Sequence, residues 1–142
     1  GYARHQLTRQ QFRDNTVDAA ELGAAEAGNA LYTVQVDPAG EGPLGTVRVR
    51  FKVPGTSDYR ELEWTLPHQG AARGLDQAPP SLRLAATAAA FGEWLAASPY
   101  AAEATPDRLL ATLRGVPETW SADPRPAQLQ RMLQQANSLR GK

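Results

Sequence analysis

Hydrophobic and polar residues alternate most regularly in the stretch from residue 47 to residue 66. Apolar side chains alternate with cations from Val47 to Val53, and after a Pro-Gly turn Leu62, Trp64 and Leu66 alternate with polar residues. Because successive side chains of a strand point to opposite faces, a period of two gives each strand one apolar and one polar face. The pattern predicts a β-hairpin over residues 47–66 with a buried inner face and a solvated outer face.

We expect this hairpin to adopt the register that pairs opposite charges. That register sets Lys52 against Glu61 and Arg50 against Glu63 on the outer face, where such pairs stabilise a sheet. The apolar pairs of the same register are Phe51 with Leu62, Val49 with Trp64 and Val47 with Leu66.

Other segments complete the predicted architecture. Alternation over residues 30–36 predicts a further strand, and Thr8 with Gln11 has the spacing of a capping box before a short helical turn. From residue 81 the period becomes helical, and turn signals such as Gly115 divide the region into about three helices over residues 81–140. The predicted fold class is α+β, an antiparallel sheet packed with a helical subdomain, in a single domain of residues 1–142.

Composition and charge argue against several classes of protein. Lys plus Arg and Asp plus Glu both number 15, so the formal net charge is zero and a nucleic-acid partner is not expected. The chain has no cysteine, which removes disulfides, thiolate metal sites and cysteine nucleophiles. The most apolar stretch, residues 82–97, is too short and too charged to cross a membrane. We therefore expect no membrane insertion by this segment.

Several short motifs resemble one bacterial family in their order along the chain. The most specific are residues 18–24, Asp-Ala-Ala-Glu-Leu-Gly-Ala, and residues 30–34, Ala-Leu-Tyr-Thr-Val. The supporting motifs are Gly1-Tyr2, Phe12-Arg13-Asp14, the strand from Val47 to Phe51, Phe91-Gly92-Glu93-Trp94-Leu95 and Ser98-Pro99-Tyr100. Together they resemble the C-terminal region of von Willebrand factor type A domain proteins of the YfbK-like group. The chain departs from that pattern at three positions. Ala20 and Ala25 replace glycines of the family pattern, and Glu26 replaces a histidine.

This resemblance implies a context for the chain and assigns no reaction to it. It implies that the chain is the C-terminal fragment of a longer bacterial protein, with a von Willebrand factor type A domain upstream. That protein is expected to lie in the cell envelope or to be exported. The partner that we expect is that domain or another protein. The Asp-x-Ser-x-Ser adhesion motif of such domains is absent from the sequence, so any adhesion metal chemistry is expected elsewhere in the parent protein.

Asp14, Asp18 and Glu21 form the one acidic cluster with a candidate chemistry. On a helix they would share a face, and in a loop they could offer several oxygens to a hard cation such as calcium. The spacing matches no recognised calcium loop, however, and nearby arginines can pair with these carboxylates. Capping or solvated carboxylates are therefore the favoured interpretation, and a calcium site or metal-dependent enzyme is the alternative.

Arg48, Arg50 and Trp120 are the candidates for partner binding. The two arginines could bind phosphate or an acidic partner, although cross-strand glutamates offer them an ordinary structural role. Trp120 lies in a predicted loop, where exposure would favour a partner surface. The favoured hypothesis is a non-enzymatic structural or protein-interaction module without catalytic residues or a cofactor. Carbohydrate or peptide binding through exposed aromatic residues is a third hypothesis, and an exposed strand edge could allow weak self-association.

Overall fold

The computed structural model describes residues 7–8, 10–17, 22–23, 26–37, 39–68 and 74–140. The chain divides near residue 73 into two compact units. The first contains an antiparallel hairpin and the second is helical, which confirms the predicted α+β class. The single domain predicted for residues 1–142 stays a prediction, since two compact units can belong to one domain.

The hairpin consists of β1 (Gly45–Lys52) and β2 (Tyr59–Leu66), which form a two-stranded sheet in the part of the chain that the structure describes. Its register is shifted by two residues from the predicted one. Val47 lies opposite Trp64, Val49 opposite Leu62, Arg48 opposite Glu63 and Arg50 opposite Glu61. A shift of two residues keeps every side chain on its predicted face. The division into faces is therefore confirmed, whereas the predicted pairs are wrong.

The turn between the strands sets this register. Pro54 and Gly55 occupy the centre of a turn in which Thr56 N donates to Val53 O at 3.1 Å, and Gly55 has φ +77. Proline at the second position and a left-handed glycine at the third are typical of a type II turn. Val53 N then donates to Asp58 O at 2.8 Å and closes the end of the ladder. The turn geometry thus favours the observed pairing over the predicted one, although both registers place cations opposite glutamates.

Residues 30–36 do not form the predicted strand, because among the described residues no segment pairs with them. Alternating side chains favour an extended backbone, but a strand also needs a neighbour for its N–H and C=O groups. The short turn predicted before Asp14 is confirmed. Thr8 N donates to Gln11 Oε1 at 2.9 Å and Gln11 N donates to Thr8 Oγ1 at 3.2 Å, the two bonds of a capping box, ahead of a 3-10 turn over Gln11–Arg13.

The second unit confirms the predicted helical region. It contains α1 (Pro80–Leu95), α2 (Pro106–Thr112), the single turn α3 (Val116–Thr119) and α4 (Pro124–Arg140). Short 3-10 turns occur at Leu75–Gln77 and Pro99–Ala101. No helix in the described part of the chain is long and apolar enough to cross a bilayer.

The helix ends follow from local chemistry. Pro106 and Pro124 stand at the first positions of α2 and α4, where the missing proline N–H is not needed. Gly115 has φ +76 and lies just beyond α2, in the left-handed conformation that commonly ends a helix. The core of this unit is a cluster of five buried apolar side chains: Phe91, Leu109, Leu113, Val116 and Leu133. Trp94 packs against this cluster and stacks on Phe91, with ring centroids 5.8 Å apart.

Candidate functional site

The two faces of the hairpin have opposite chemistry. One face carries Arg48, Arg50 and Lys52 on β1 and Glu61 and Glu63 on β2. The other carries Val47, Val49 and Phe51 on β1 and Leu62 and Trp64 on β2, the five side chains that we call the apolar face. Leu66 and Arg60 lie on the same side of β2, with Arg60 opposite Phe51 at the turn end. Since side chains alternate along each strand, the two sets follow directly from the sequence and the observed register. The hairpin therefore offers a partner two different surfaces.

The charged face is partly covered by the segment that precedes the hairpin. Arg13 Nη2 donates to Glu61 Oε1 at 3.3 Å, and Arg50 Nη2 donates to Asn15 Oδ1 at 2.7 Å. The Tyr59 hydroxyl donates to Asn15 O at 3.4 Å, and the Arg50 guanidinium lies 4.6 Å from the centre of the Tyr59 ring. A stacked guanidinium of this kind is attracted by the electrons of the ring. These contacts tie residues 13–15 to the solvated side of the sheet.

Asp14 has a local role in this segment. Its carboxylate accepts hydrogen bonds from Thr16 N at 2.9 Å and Thr16 Oγ1 at 2.7 Å. Hydrogen bonds to a carboxylate favour its charged form, so the side-chain and backbone bonds from Thr16 lower the pKa of Asp14. The carboxylate holds the turn that presents Asn15 to the hairpin. Asp14 thus acts as a turn-forming residue.

The predicted metal cluster is only partly visible. Asp18 and Glu21 lie outside the described residues, so a site that joins them to Asp14 stays a prediction. Within the ranges that the structure describes, no three acidic or histidine side chains are close enough to hold a metal ion.

Arg48 and Arg50 have separate partners. Arg48 Nε donates to Glu63 Oε2 at 2.6 Å and lies 3.9 Å from Glu61 Oε1. Arg50, which was predicted to pair with Glu63, lies opposite Glu61 in the observed register, and its guanidinium bonds Asn15. Asn15 and Tyr59 were missed by the sequence analysis. Asn15 is 35 residues from Arg50 and 44 residues from Tyr59 in the sequence, and no local spacing pattern predicts contacts between residues so far apart.

The apolar face is accessible, contrary to the prediction that it is an inner, buried face. Its five side chains are 39–50% exposed, with Trp64 the most exposed at 50%. Alternation showed that the two faces differ, but it could not show which of them is covered. Soluble proteins rarely leave adjacent large apolar side chains open unless a surface binds something. This face is the candidate site.

The family model described as "Uncharacterized protein YfbK, C-terminal" matches residues 1–43 and 35–139. The chain belongs to this family. Searches of curated proteins and of solved structures gave no match.

The YfbK C-terminal family match spans all parts of the candidate site. The first matched stretch includes residues 13–15 on the charged face, and the second includes the whole hairpin and the four helices up to residue 139. The family's description names no activity. Membership thus confirms the resemblance, while the role of the hairpin rests on its own geometry.

Trp120, the third candidate for partner binding, lies in the helical unit of this family member. Its side chain is half-buried and packs against the core cluster. Such a contact gives the indole a stabilising role. Its predicted role in partner binding stays a prediction, and the large exposed indole is that of Trp64.

Proposed function

We propose that this domain is a non-enzymatic interaction module of a bacterial cell-envelope protein, and that it docks on the preceding part of its own polypeptide through the apolar face of the hairpin. The observation that carries the proposal is the exposure of that face, where Val47, Val49, Phe51, Leu62 and Trp64 are all 39–50% accessible. The resemblance to von Willebrand factor type A proteins supports such a domain as the docking partner and the envelope as the location.

The energetics of a small sheet support docking. An isolated two-stranded hairpin is marginally stable in water, and it becomes stable when a third strand or a packed element covers one face. Full burial of a large apolar side chain contributes about 1.5–3 kcal/mol relative to exposure. Because the five side chains are 39–50% exposed, a corresponding share of that gain is still available at each of them. A partner that covers the face would therefore stabilise both the hairpin and the complex.

The size of the face favours a tethered partner over a free one. Eight residues in each of two strands give a face of roughly 26 Å by 10 Å. A stable complex between free proteins covers about 800 Å² on each partner, more than this face offers. A partner on the same polypeptide has an effective concentration in the millimolar range, which compensates for a small contact. The family description, which refers to a C-terminal part, supports a preceding domain in that position.

Cysteine labelling tests this docking directly, because the chain contains no cysteine of its own. Val49→Cys places a thiol on the apolar face, and Thr46→Cys places a matched thiol on the opposite face of the same strand. Each variant is prepared in this chain and in the longer polypeptide that includes the preceding domain, with any other cysteine there replaced. Maleimide labelling rates are then compared between the two forms.

We expect Val49→Cys to react at least about tenfold more slowly in the longer polypeptide, because docking shields the thiol and labelling then requires transient opening of the docked face. Thr46→Cys should react at similar rates in both forms. Equal rates for Val49→Cys in the two forms would overturn the proposed docking. Fractionation of the cells that produce the longer protein tests the envelope location, and recovery with the cytoplasmic fraction would contradict it.

A further inference from the structure

Residues 30–36 combine the side chains of a strand with a backbone that forms no ladder with any described residue. Tyr32 is 84% exposed and Val34 63%. None of residues 27–36 makes a backbone–backbone hydrogen bond with another described residue. The segment is rich in β-branched and aromatic residues, unlike chains that stay disordered for lack of apolar side chains. Among the described residues its backbone groups therefore have no strand partner.

A second copy of the chain offers suitable edges. The hairpin has two strands, so β1 and β2 each keep one edge that no described residue pairs with. Free edges readily accept another strand. The formal net charge of the chain is zero, so two copies do not repel each other over long range.

Side-chain charges restrict which strands of two copies can pair. A β1–β1 contact would place Arg48, Arg50 or Lys52 opposite another cation, and a β2–β2 contact would place Glu61 or Glu63 opposite another glutamate. Like charges directly opposite each other destabilise a sheet. A β1–β2 contact between copies avoids this repulsion but is heterologous, so it forms open chains unless its rotation closes a ring. Residues 30–36 contain no charged side chain, so they can pair with either edge without repulsion.

The position of the segment is compatible with exchange between copies. Gln35 and Val36 line a shallow cavity together with Leu44 and His68, at the end of the hairpin where β1 begins and β2 ends. Residues 37–44, which include two prolines and two glycines, connect the segment to β1. The C-terminal end of the segment thus lies beside the sheet, and the rest of the segment can extend from it towards another copy.

We propose that residues 30–36 of one copy add as a strand to a free hairpin edge of a second copy, and that the second copy returns the same contact. Each copy then donates and accepts one strand, which closes the dimer and doubles the number of inter-copy hydrogen bonds. The dimer uses the edges of the hairpin, whereas the docking proposed above uses its apolar face. The two proposals therefore make separate predictions.

Light scattering after size exclusion measures the dimer, at concentrations from about 10 μM to about 1 mM so that weak association by mass action is detected. We expect the mass to rise from 15.3 kDa towards twice that value. Amide exchange of residues 31–35 should slow in parallel.

Val34→Pro and Thr33→Pro each remove one of two neighbouring N–H groups that point in opposite directions, so at least one variant should stay monomeric. Ala27→Pro, outside the alternating segment, is the matched control and should dimerise.

Three outcomes would overturn this proposal. The first is a monomer at every concentration. The second is slow exchange of residues 31–35 in the monomer, which would mean pairing within one chain. The third is a dimer that survives both proline substitutions, which would point to another surface. Trp64→Ser separates the two proposals, because it should weaken docking through the apolar face and leave the edge-paired dimer intact.

Discussion

Arg48 and Glu63 lie directly opposite each other in the hairpin, and Arg48 Nε donates a 2.6 Å hydrogen bond to Glu63 Oε2. Both side chains are about half exposed, so water and salt weaken the pair. We expect a double-mutant cycle with Arg48→Ala and Glu63→Ala to give a coupling of about 0.2–1 kcal/mol. Amide exchange of β1 measures the local stability, and the coupling should decrease at high salt.

The cycle between Arg50 and Glu63 is the matched control. These two residues are diagonal neighbours in the observed register, and the Arg50 guanidinium bonds Asn15. Their coupling should be smaller than that of Arg48 with Glu63. A larger value for the Arg50 pair would favour the predicted register, in which Arg50 lies opposite Glu63.

The hairpin shows which features a linear pattern can predict. Alternation identified both strands and both faces, because the period of side-chain direction in a strand is two. It could not distinguish registers that differ by two residues, since both keep the faces and both pair cations with glutamates. The bond from Thr56 N to Val53 O made the difference. Nor could alternation predict that Asn15 and Arg13 cover the charged face, because these contacts join distant parts of the chain.

Ala97 should be replaceable by glycine with a gain in stability. It follows α1 with φ +49, in a Schellman motif where Ser98 N donates to Glu93 O and Ala97 N donates to Trp94 O. The left-handed conformation costs a non-glycine residue roughly 1–2 kcal/mol, part of which glycine recovers. We expect Ala97→Gly to raise the free energy of unfolding of the helical unit by about 0.5–1 kcal/mol. Thermal unfolding monitored by circular dichroism at 222 nm checks this.

Gly115→Ala is the reciprocal change. Gly115 has φ +76, and a Cβ added there would meet no atom within 4 Å. Any loss of stability would therefore come from the backbone conformation, and we expect about 1 kcal/mol. If both substitutions changed stability in the same direction, the conformational explanation would be wrong.

Thr87 should be replaceable by valine. Its side chain is fully buried in α1, and its Oγ1 has no hydrogen-bond partner among the described residues. A buried hydroxyl without a partner costs about 1–3 kcal/mol, while valine keeps nearly the same shape. We expect Thr87→Val to increase the free energy of unfolding by about 1 kcal/mol in urea titrations. Thr87→Ala, which also removes a methyl group, should decrease it. Destabilisation by valine would mean that the hydroxyl does have a partner.

Thr87 also explains why the buried face of α1 differs from the predicted stripe. The helical period of this segment predicts a stripe of Leu84, Ala88, Phe91 and Leu95, widened by Trp94 and Ala85. Leu84, Phe91 and Trp94 do face the core, but Ala88 is exposed and Leu95 is 61% exposed. The side chains that face the core are Leu84, Thr87, Ala90, Phe91 and Trp94. Alanines on all sides of this helix reduce the contrast between its faces, and a buried threonine gives no apolar signal. Helix bounds were therefore easier to predict than helix orientation.

Arg83 should be more important to the helical unit than other arginines. Its Nε donates to Thr112 O at 2.8 Å and its Nη2 donates to Arg114 O at 2.5 Å. These carbonyls lie at and beyond the end of α2, where backbone acceptors lack helical partners. Because hydrogen bonds from charged groups contribute about 1.5–3 kcal/mol, we expect Arg83→Met to lower the free energy of unfolding by about 1–2 kcal/mol. Urea titration measures the change, and it should persist at high salt. Arg131→Met, an exposed position on α4, is the control and should change it by less than about 0.5 kcal/mol.

Asp123 should make the stability of α4 depend on acid pH. Its carboxylate accepts hydrogen bonds from the side chain and the backbone N–H of Arg125, which lower the pKa of Asp123 from 3.8 to about 2. Because the folded state has the lower pKa, this contribution to stability is complete above the unfolded value and is lost as the pH falls from about 4 to about 2. We expect Asp123→Ala to be less stable than the natural chain near pH 7, and the difference to shrink below about pH 4. Urea titrations followed at 222 nm measure it.

Asp123→Asn keeps an acceptor for the Arg125 N–H but cannot titrate, so its difference from Asp123→Ala should remain constant with pH. A difference between the natural chain and Asp123→Ala that persists unchanged near pH 2 would show that the charge of Asp123 does not stabilise the start of α4.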